Sequence, residues 1–296
     1  MRGYNNLIIE VNLPPTSHPH SNQFLQSYGP WVVVAGASEG LGAAYAEALA
    51  QRGLHLLLVA RRSELLQTLA ARLSAAYGVQ VRSLPLDLAQ QDSAARIARA
   101  TQDLPVGLLV YNAAFSAVGA FLEHPLDDHL REVDTNIRTP LALLNTFGAR
   151  MLKAVHGGII LMSSLSAFQG SAYIANYSAT KAYNFVLAEG LWEEWRRGGV
   201  DVLACIAGAI RTPNFVASAP RPTGRISDAT IEAETVVTEA LAALGRQPTV
   251  IPGRLNRLSS FVMRRLLSRR LTITIMGNVL HAKYANLHPN PTEEKS

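Results

Sequence analysis

The sequence predicts a doubly wound α/β domain, in which a parallel sheet of about seven strands has helices on both faces. Short apolar runs recur along the chain, and amphipathic stretches of helical period lie between them. Several of these runs are apolar throughout, as expected for parallel strands that are covered on both faces. The predicted strands are residues 31–36, 54–60, 79–87, 106–114, 157–164, 200–208 and 248–253.

Two of the intervening stretches carry helix signals at their ends. Residues 41–53 are predicted to form a helix closed by Gly53. Residues 63–78 are predicted to form a second helix, with Ser63 as its N-cap and Gly78 at its end. Ligands of doubly wound sheets bind beyond the carboxyl ends of the strands, so the residues that follow each strand are the candidates for a site.

The chain divides into three predicted parts. Residues 1–28 lack periodicity and are expected to be an N-terminal tail, whereas residues 29–253 form the α/β domain. Residues 254–296 form a basic amphipathic extension and tail.

The sequence shows no secretory signal, no membrane-spanning stretch and no metal-binding motif. The N-terminus lacks the apolar core of a secretory signal, and the apolar uncharged run 104–122 is interrupted by Pro105 and Asn112. The single cysteine, Cys205, argues against a disulfide, and no metal site is predicted. These features predict a cytoplasmic protein.

A glycine-rich stretch, GASEGLG at residues 36–42, follows the first strand and opens the first helix. Gly36 permits a tight turn, Gly40 lets the backbone approach a phosphate, and Gly42 lets the helix pack on the strand. The helix N-terminus then faces a pyrophosphate. In this strand–turn–helix context the motif favours nucleotide binding over a structural turn.

The ends of the next two strands bear on the nucleotide. An NAD-binding protein carries an acid after the second strand, whereas this chain has Arg61 and Arg62, which suit a 2′-phosphate. The prediction is therefore NADP(H), with Arg61 favoured because it is nearer the strand. Asp87 after the third strand either accepts from the adenine amino group or caps the next turn.

Tyr177 and Lys181 are four residues apart in the stretch ANYSATKAYN, so on a helix they share one face. A nearby ammonium favours the phenolate and lowers a tyrosine pKa from about 10, which makes the pair a general acid or base for a carbonyl or alcohol oxygen. Alone, the pair would be an ordinary exposed face. However, Ser164 ends the fifth strand, and Asn136 lies within a helix, where asparagine has poor propensity. Thr212 after the sixth strand is placed to meet a carboxamide or simply ends a turn at Pro213.

The motifs GASEGLG, YNAA, Asn136, Ser164, YSATK and AGAIRT, in this order and spacing, resemble the short-chain dehydrogenase/reductase family over residues 29–253. The resemblance implies a Rossmann-type fold and a catalytic set. In it Tyr177 is the general acid/base, Lys181 binds the nicotinamide ribose and lowers the tyrosine pKa, Ser164 orients the carbonyl, and Asn136 supports a relay water. Asn112 is expected to support the sheet and line the cofactor site. The other positions assigned to the cofactor are Ser38, Leu41, Ala113 and Ile210.

The chain departs from the family pattern at three places. Ala35 stands where the family has threonine, Tyr111 and Ala114 stand in its Asn-Asn-Ala-Gly motif, and Ala207 replaces a proline. No catalytic group is lost, so an active enzyme is expected.

The substrate is expected to lie against residues near the ends of the fifth and sixth strands. Residues 213–228 are the predicted substrate loop. Phe168, Tyr173 and Phe215 are expected to shape an apolar substrate pocket, with core packing as the alternative for each. Ser166 is also assigned to the substrate.

The C-terminal extension is strongly basic, because no Asp or Glu occurs between Glu239 and Glu293. Three interpretations stay open: a helix over the active site, a subunit interface, and contact of residues 254–270 with an anionic membrane surface. Basic patches also attract nucleic acid, but no reading motif supports that partner.

The sequence therefore predicts an NADP(H)-dependent oxidoreductase that interconverts a carbonyl and an alcohol, acting as a reductase on an apolar small molecule. The alternatives are a catalytically weak NADP-binding sensor or scaffold, and a membrane-surface lipid or steroid ketoreductase. A homodimer or homotetramer built on the helices of Asn136 and Tyr177 is what the family resemblance implies.

Overall fold

The structure, a computed structural model, describes residues 19–210 and 230–284. Seven strands in these ranges form one parallel sheet with the order β3-β2-β1-β4-β5-β6-β7, which confirms the predicted fold class. The strands are β1 (Trp31–Ala35), β2 (His55–Ala60), β3 (Val81–Pro85), β4 (Val106–Tyr111), β5 (Gly157–Ser164), β6 (Val200–Ala207) and β7 (Thr249–Val250).

Ten α-helices occur in the described residues, and two apolar clusters lie between helices and sheet, one on each face. The first seven are α1 (Pro19–Tyr28), α2 (Gly40–Ala50), α3 (Ser63–Tyr77), α4 (Ser93–Ala100), α5 (Leu126–Val133), α6 (Thr139–Ala154) and α7 (Ala175–Trp195). The last three are α8 (Ala233–Ala243), α9 (Arg254–Arg265) and α10 (Arg269–Tyr284). None of the described helices has the length and apolar character to cross a bilayer.

Some helix boundaries differ from the sequence expectation. The N-cap of α3 is Arg62 rather than Ser63, which is the first helical residue and receives a hydrogen bond from Gln67 instead. Helix α2 ends at Ala50, before Gly53, whereas Gly78 follows α3 with a left-handed φ of 66°, as predicted.

Part of the expected N-terminal tail is structured. Residues 19–28 form α1, and Tyr28 at its end is buried and donates a hydrogen bond to Asp201 at 2.7 Å. Phe24 and Leu25 pack against the core. The helix was missed because its apolar residues are few and polar residues surround them, so no helical period stands out.

Helices α5 and α6 are joined by one π-helical turn, Asp134–Arg138, which contains Asn136. A π-turn inserts an extra residue into the helical ladder and is often found at functional sites. The turn is buried at Asn136 and close to the carboxyl ends of β4 and β5, so it accounts for an asparagine in a helix interior.

Helices α9 and α10 cross the carboxyl end of the sheet. The Arg264 guanidinium lies 4.1 Å from the centroid of the Phe168 ring, and His281 Nδ1 is 2.7 Å from the Tyr173 hydroxyl. Thr272 donates to the carbonyl of Met263 and ties the two helices together. The extension therefore packs beside the segment that leads from β5 to α7.

Candidate active site

The glycine-rich turn is a close-packed cradle between β1 and α2. A Cβ added to Gly42 would come within 1.9 Å of the Gly36 carbonyl oxygen, so only glycine fits there. Gly36 and Gly40 have φ values of 84° and 55°, in the left-handed region that favours glycine. Asn112 Nδ2 donates to the Gly36 carbonyl at 3.0 Å and braces the turn against β4. The cradle fits a pyrophosphate at the N-terminus of α2.

The other residues of the expected cofactor site surround this turn or continue along the sheet edge. Leu41 is buried in the first turn of α2, and the Ala113 amide donates to the Ala35 carbonyl at 2.9 Å. Ile210 pairs with Ile231 in an isolated parallel bridge beyond β6. Thr212 and Phe215 lie outside the described residues, as does the predicted substrate loop.

The two arginines after β2 are both exposed. Arg62 donates to the Ser38 hydroxyl at 3.1 Å and pairs with Glu39 at 2.6 Å, so it lies against the glycine-rich turn. Arg61 is the neighbouring exposed cation at the strand end. Both lie beside the cradle. Arg62 is held there by Ser38 and Glu39, so an anion would compete with the Glu39 carboxylate for it.

Asp87 caps its own turn. Its Oδ1 accepts from the Ala89 amide at 3.1 Å, and its Oδ2 accepts from Arg131 at 2.7 Å. Of the two roles that the sequence left open, capping is thus present in the structure, and the carboxylate has a second partner on α5.

Ser164, Tyr177 and Lys181 meet at the carboxyl end of β5. Lys181 is 3% exposed, its Nζ donates to the Met162 carbonyl at 2.9 Å, and it lies 5.6 Å from the centroid of the Tyr177 ring. The Ser164 Oγ accepts from the Ser166 amide at 3.3 Å. Ser164 also lies close enough to Tyr177 to lower its pKa. One hydroxyl pair with an ammonium beside it can bind and protonate a carbonyl oxygen.

Burial controls the ionisation of this set. It raises the pKa of Tyr177 to about 12, against the lowering effect of the Ser164 hydroxyl and with a smaller raising effect from the Glu132 carboxylate. Burial also lowers the pKa of Lys181 to about 8. The expectation that Lys181 brings the tyrosine pKa down is therefore wrong for the protein alone, because desolvation of the phenolate is the larger effect.

Asn136 is completely buried, and its side chain is fully used by neighbours. Its Oδ1 accepts from the Phe115 amide at 2.9 Å, and its Nδ2 donates to the Phe115 carbonyl at 2.8 Å and to Thr180 at 3.0 Å. Its own carbonyl accepts from Asn184 at 2.8 Å. Asn136 thus joins the loop after β4 to α7, one residue from Lys181.

Tyr111, a departure from the family motif, has a clear structural role. It is 2% exposed, and its hydroxyl donates to the Thr135 carbonyl in the π-helical turn at 2.6 Å. Burial raises its pKa well above the usual range. The tyrosine therefore links β4 to the turn that holds Asn136.

The residues expected to meet the substrate lie between β5 and α7. The Phe168 ring packs edge-on against Phe185 at 5.5 Å, and its carbonyl accepts from Arg269 at 3.5 Å. Tyr173 has a φ of 64°, and its carbonyl accepts from the Gly119 amide at 2.9 Å. Ser166 is 8% exposed, and its Oγ has no hydrogen-bond partner among residues 19–210 and 230–284.

Sequence reasoning missed three contributors to this region: Glu132, Arg264 and His281. Glu132 is buried beside Tyr177, whereas Arg264 and His281 come from the C-terminal helices. For Glu132 the available signal was a carboxylate one helical turn before Asn136. The other two depend on how α9 and α10 fold back, which no local pattern encodes.

A doubly wound sheet with a glycine cradle after β1 and a Ser–Tyr–Lys set after β5 defines a class of oxidoreductases that act on alcohol and carbonyl groups. A profile described as short chain dehydrogenase matches residues 30–222, and the chain belongs to that family.

Two similar proteins are hydroxysteroid dehydrogenases. The chain is 34% identical over 234 residues to a 7beta-hydroxysteroid dehydrogenase of Clostridium sardiniense, covering 79% of this chain and 89% of the relative. A solved structure from work on 7beta-hydroxysteroid dehydrogenase stereoselectivity superimposes with a TM-score of 0.81 at 27% identity, over 86% of this chain and 98% of that one.

A third similar protein carries a cofactor. It is a short-chain dehydrogenase from Sphingobium yanoikuyae in complex with NADPH, with a TM-score of 0.69 at 30% identity. The match covers 76% of this chain and 87% of that one.

Proposed function

We propose that the protein is an NADP(H)-dependent reductase of an apolar ketone or aldehyde. The observation that carries the proposal is the meeting of Ser164 and Tyr177 at the carboxyl end of β5, with Lys181 buried beside the tyrosine ring. NADP(H) supplies the hydride when bound. Ser164 then orients the substrate oxygen, Tyr177 gives it a proton during reduction, and Lys181 holds a ribose hydroxyl and contributes positive charge.

The tyrosine ionisation supports the reductive direction. A phenol with a pKa of about 12 is protonated at neutral pH, which is the form that donates to a carbonyl oxygen. A cationic oxidised nicotinamide beside the ring would lower that pKa, as any nearby positive charge does.

The preference for NADP(H) rests on Arg61 and Arg62. Both guanidinium groups are exposed after β2, and Arg62 contacts Ser38 in the glycine-rich turn. A 2′-phosphate placed there would form charge-assisted hydrogen bonds with the guanidinium groups. The 2′-hydroxyl of NAD carries no charge and would not form them.

The test of the cofactor is a thermal shift of the purified protein with NADP, with NAD and with neither. Because ligand stabilisation grows with the ratio of ligand concentration to Kd, NADP is expected to raise Tm more than NAD at equal concentration. Arg61→Ala and Arg62→Ala should each reduce the NADP shift by lowering affinity about tenfold, with little change for NAD. Arg72→Ala is the matched control, since that residue pairs with Glu47 in the C-terminal half of α2, two turns from Gly40. Equal shifts for both nucleotides would contradict the assignment.

The substrate class follows from the relatives and from the pocket walls. The similar 7beta-hydroxysteroid dehydrogenase is named for a bulky apolar alcohol. Phe168 and Tyr173 supply aromatic surface beside Ser164, and α9 and α10 lie over them. We therefore place a steroid-like or similarly bulky carbonyl compound in this space.

A second copy of the chain is the proposed partner of α6 and α7. Leu141 on α6 is 43% exposed, and Tyr183 and Val186 on α7 are 37% and 62% exposed. A homodimer or homotetramer would bury these side chains.

Contact with a membrane surface is a second candidate role for the C-terminal helices in an otherwise cytoplasmic protein. Their exposed apolar residues include Leu255 at 61%, Leu258 at 61% and Phe261 at 57%. The exposed Arg254 and Arg265 lie among these side chains, which suits anionic headgroups around inserted apolar groups.

Co-sedimentation with vesicles of phosphatidylserine and phosphatidylcholine tests this role. The full chain is expected to pellet with anionic vesicles and to be released by salt, because the attraction is screened. A Leu258→Ser, Phe261→Ser double variant should lose most of the binding, whereas Val155→Ser, which is 67% exposed elsewhere, should not. If the Leu258→Ser, Phe261→Ser variant and the Val155→Ser variant pellet equally, the apolar face of α9 is not a membrane-docking site.

A further inference from the structure

Glu132 is a buried carboxylate that the mechanism above does not use. It lies on α5 and is 0% exposed, which is unusual for an acid. Its Oε1 accepts from the Ala117 amide at 2.8 Å, and its Oε2 accepts from Asn176 Nδ2 at 2.5 Å. Both oxygens receive an N–H group, so the bonds suit the ionised form.

The two partners of Glu132 belong to two different walls of the site. Ala117 is in the loop that follows β4, and Asn176 is in the first turn of α7, immediately before Tyr177. Asn176 Nδ2 also donates to the His129 carbonyl at 3.1 Å. Glu132 therefore connects the start of the tyrosine helix to the opposite loop and to α5.

We infer that Glu132 is a positioning residue for Tyr177: it fixes the first turn of α7 through Asn176 and places a carboxylate close to the phenol. The inference rests on the proposed function, in which Tyr177 is the general acid. Glu132 thus fixes the helical turn that carries Tyr177 and places negative charge near the phenol, two effects that neither Ser164 nor Lys181 provides.

The negative charge of Glu132 also affects Tyr177. The carboxylate raises the pKa of Tyr177, because a negative neighbour disfavours the phenolate. Burial raises the pKa of Glu132 itself, while the Ala117 amide, Asn176 and nearby imidazoles oppose that rise. Keeping the phenol protonated favours donation to a carbonyl, so the residue biases the site towards reduction.

Other ionisable groups surround this pair and have to be considered in any pH experiment. They are His124, His129, Lys181 and the ion pairs Arg131–Asp87 and Arg138–Asp134. His124 and His129 are present in every variant, so they do not distinguish one variant from another. Lys181, whose pKa is about 8, loses its charge at a lower pH than the phenol, so the NMR titration of Tyr177 described below decides which of the two groups a shift of the alkaline limb belongs to.

The experiment compares Glu132→Gln with Glu132→Asp. Glutamine keeps the length and removes the charge, so kcat should fall about tenfold and the alkaline limb of the reduction profile should move down by about one pH unit. Aspartate keeps the charge but is too short to reach both partners, so kcat should fall with the limb near its wild-type position. Asp127→Asn, an exposed acid on the same helix, is the control and should change neither.

A readout that does not need turnover separates this inference from the proposed function. The ring-carbon NMR signal of Tyr177, assigned by its loss in Tyr177→Phe, should titrate at lower pH in Glu132→Gln than in the wild type. If the wild type turns over no carbonyl compound, the proposed function fails, yet the NMR comparison still decides the role of Glu132. An unchanged titration in Glu132→Gln, or wild-type kcat in Glu132→Asp if the glutamine variant does not fold, would overturn the inference.

Discussion

Tyr177→Phe is expected to reduce turnover by about 10³-fold or more, because it removes the hydroxyl that gives a proton to the substrate oxygen. The fold should be unaffected, since phenylalanine keeps the ring beside Lys181. Cofactor affinity should also stay close to the wild-type value. The measurement is steady-state reduction of a bulky ketone with NADPH, together with nucleotide affinity by titration.

The control for this variant is Tyr183→Phe. Tyr183 lies on the same helix, is 37% exposed and has no place in the proposed chemistry. It should keep wild-type turnover. If Tyr177→Phe turns over any substrate at the wild-type rate, Tyr177 is not the acid, and the mechanism is wrong.

Lys181→Met is expected to make the protein more stable near neutral pH and nearly inactive. The pKa of Lys181 falls from 10.5 to about 8 on folding, so the buried ammonium costs about 3 kcal/mol of folding free energy. Methionine removes this cost and loses one hydrogen bond to the Met162 carbonyl, which contributes about 1 kcal/mol. Turnover should fall by about 10²-fold or more, since the positive charge beside the tyrosine is gone.

The stability gain has a defined pH dependence. Between pH 8 and 10.5 the unfolded chain binds the proton that native Lys181 has lost, so the wild type gains stability as pH rises through this window. The advantage of Lys181→Met should therefore be largest below pH 8 and shrink towards pH 10. Urea unfolding at several pH values measures it, with the exposed Lys153→Met as control. A constant difference across the window would show that Lys181 is not desolvated.

The sequence predicted the sheet well because a strand buried on both faces is a continuous apolar run, which is visible in the local composition. All seven strands were placed, and most boundaries lie within two residues of those observed, because apolar runs such as 31–36 stop where the chain leaves the sheet. Helix ends were less accurate. At Ser63 the expected capping side chain is already inside the helix, and side-chain chemistry alone does not show which residue begins the first turn.

The candidate site was predicted as a set of residues but not as an electrostatic unit. Tyr177, Lys181 and Ser164 meet as the spacing indicated, whereas the tyrosine pKa rises instead of falling. The reason is desolvation, which depends on everything packed around the phenol and has no signature in a four-residue spacing. Glu132 was missed for the same reason, because its burial and its bond to Asn176 follow from tertiary packing.

The bond from Tyr111 to the Thr135 carbonyl has a consequence for protein engineering. Restoring the family's asparagine at position 111 would remove a buried ring and leave the Thr135 carbonyl without its partner, so the change is not a neutral exchange of homologous residues. The substitution would act at a distance on Asn136, one residue further along the same turn. Position 111 is therefore coupled to the backbone of the π-helical turn, and a consensus design of this chain has to refill the space of the ring and satisfy that carbonyl, or leave Tyr111 in place.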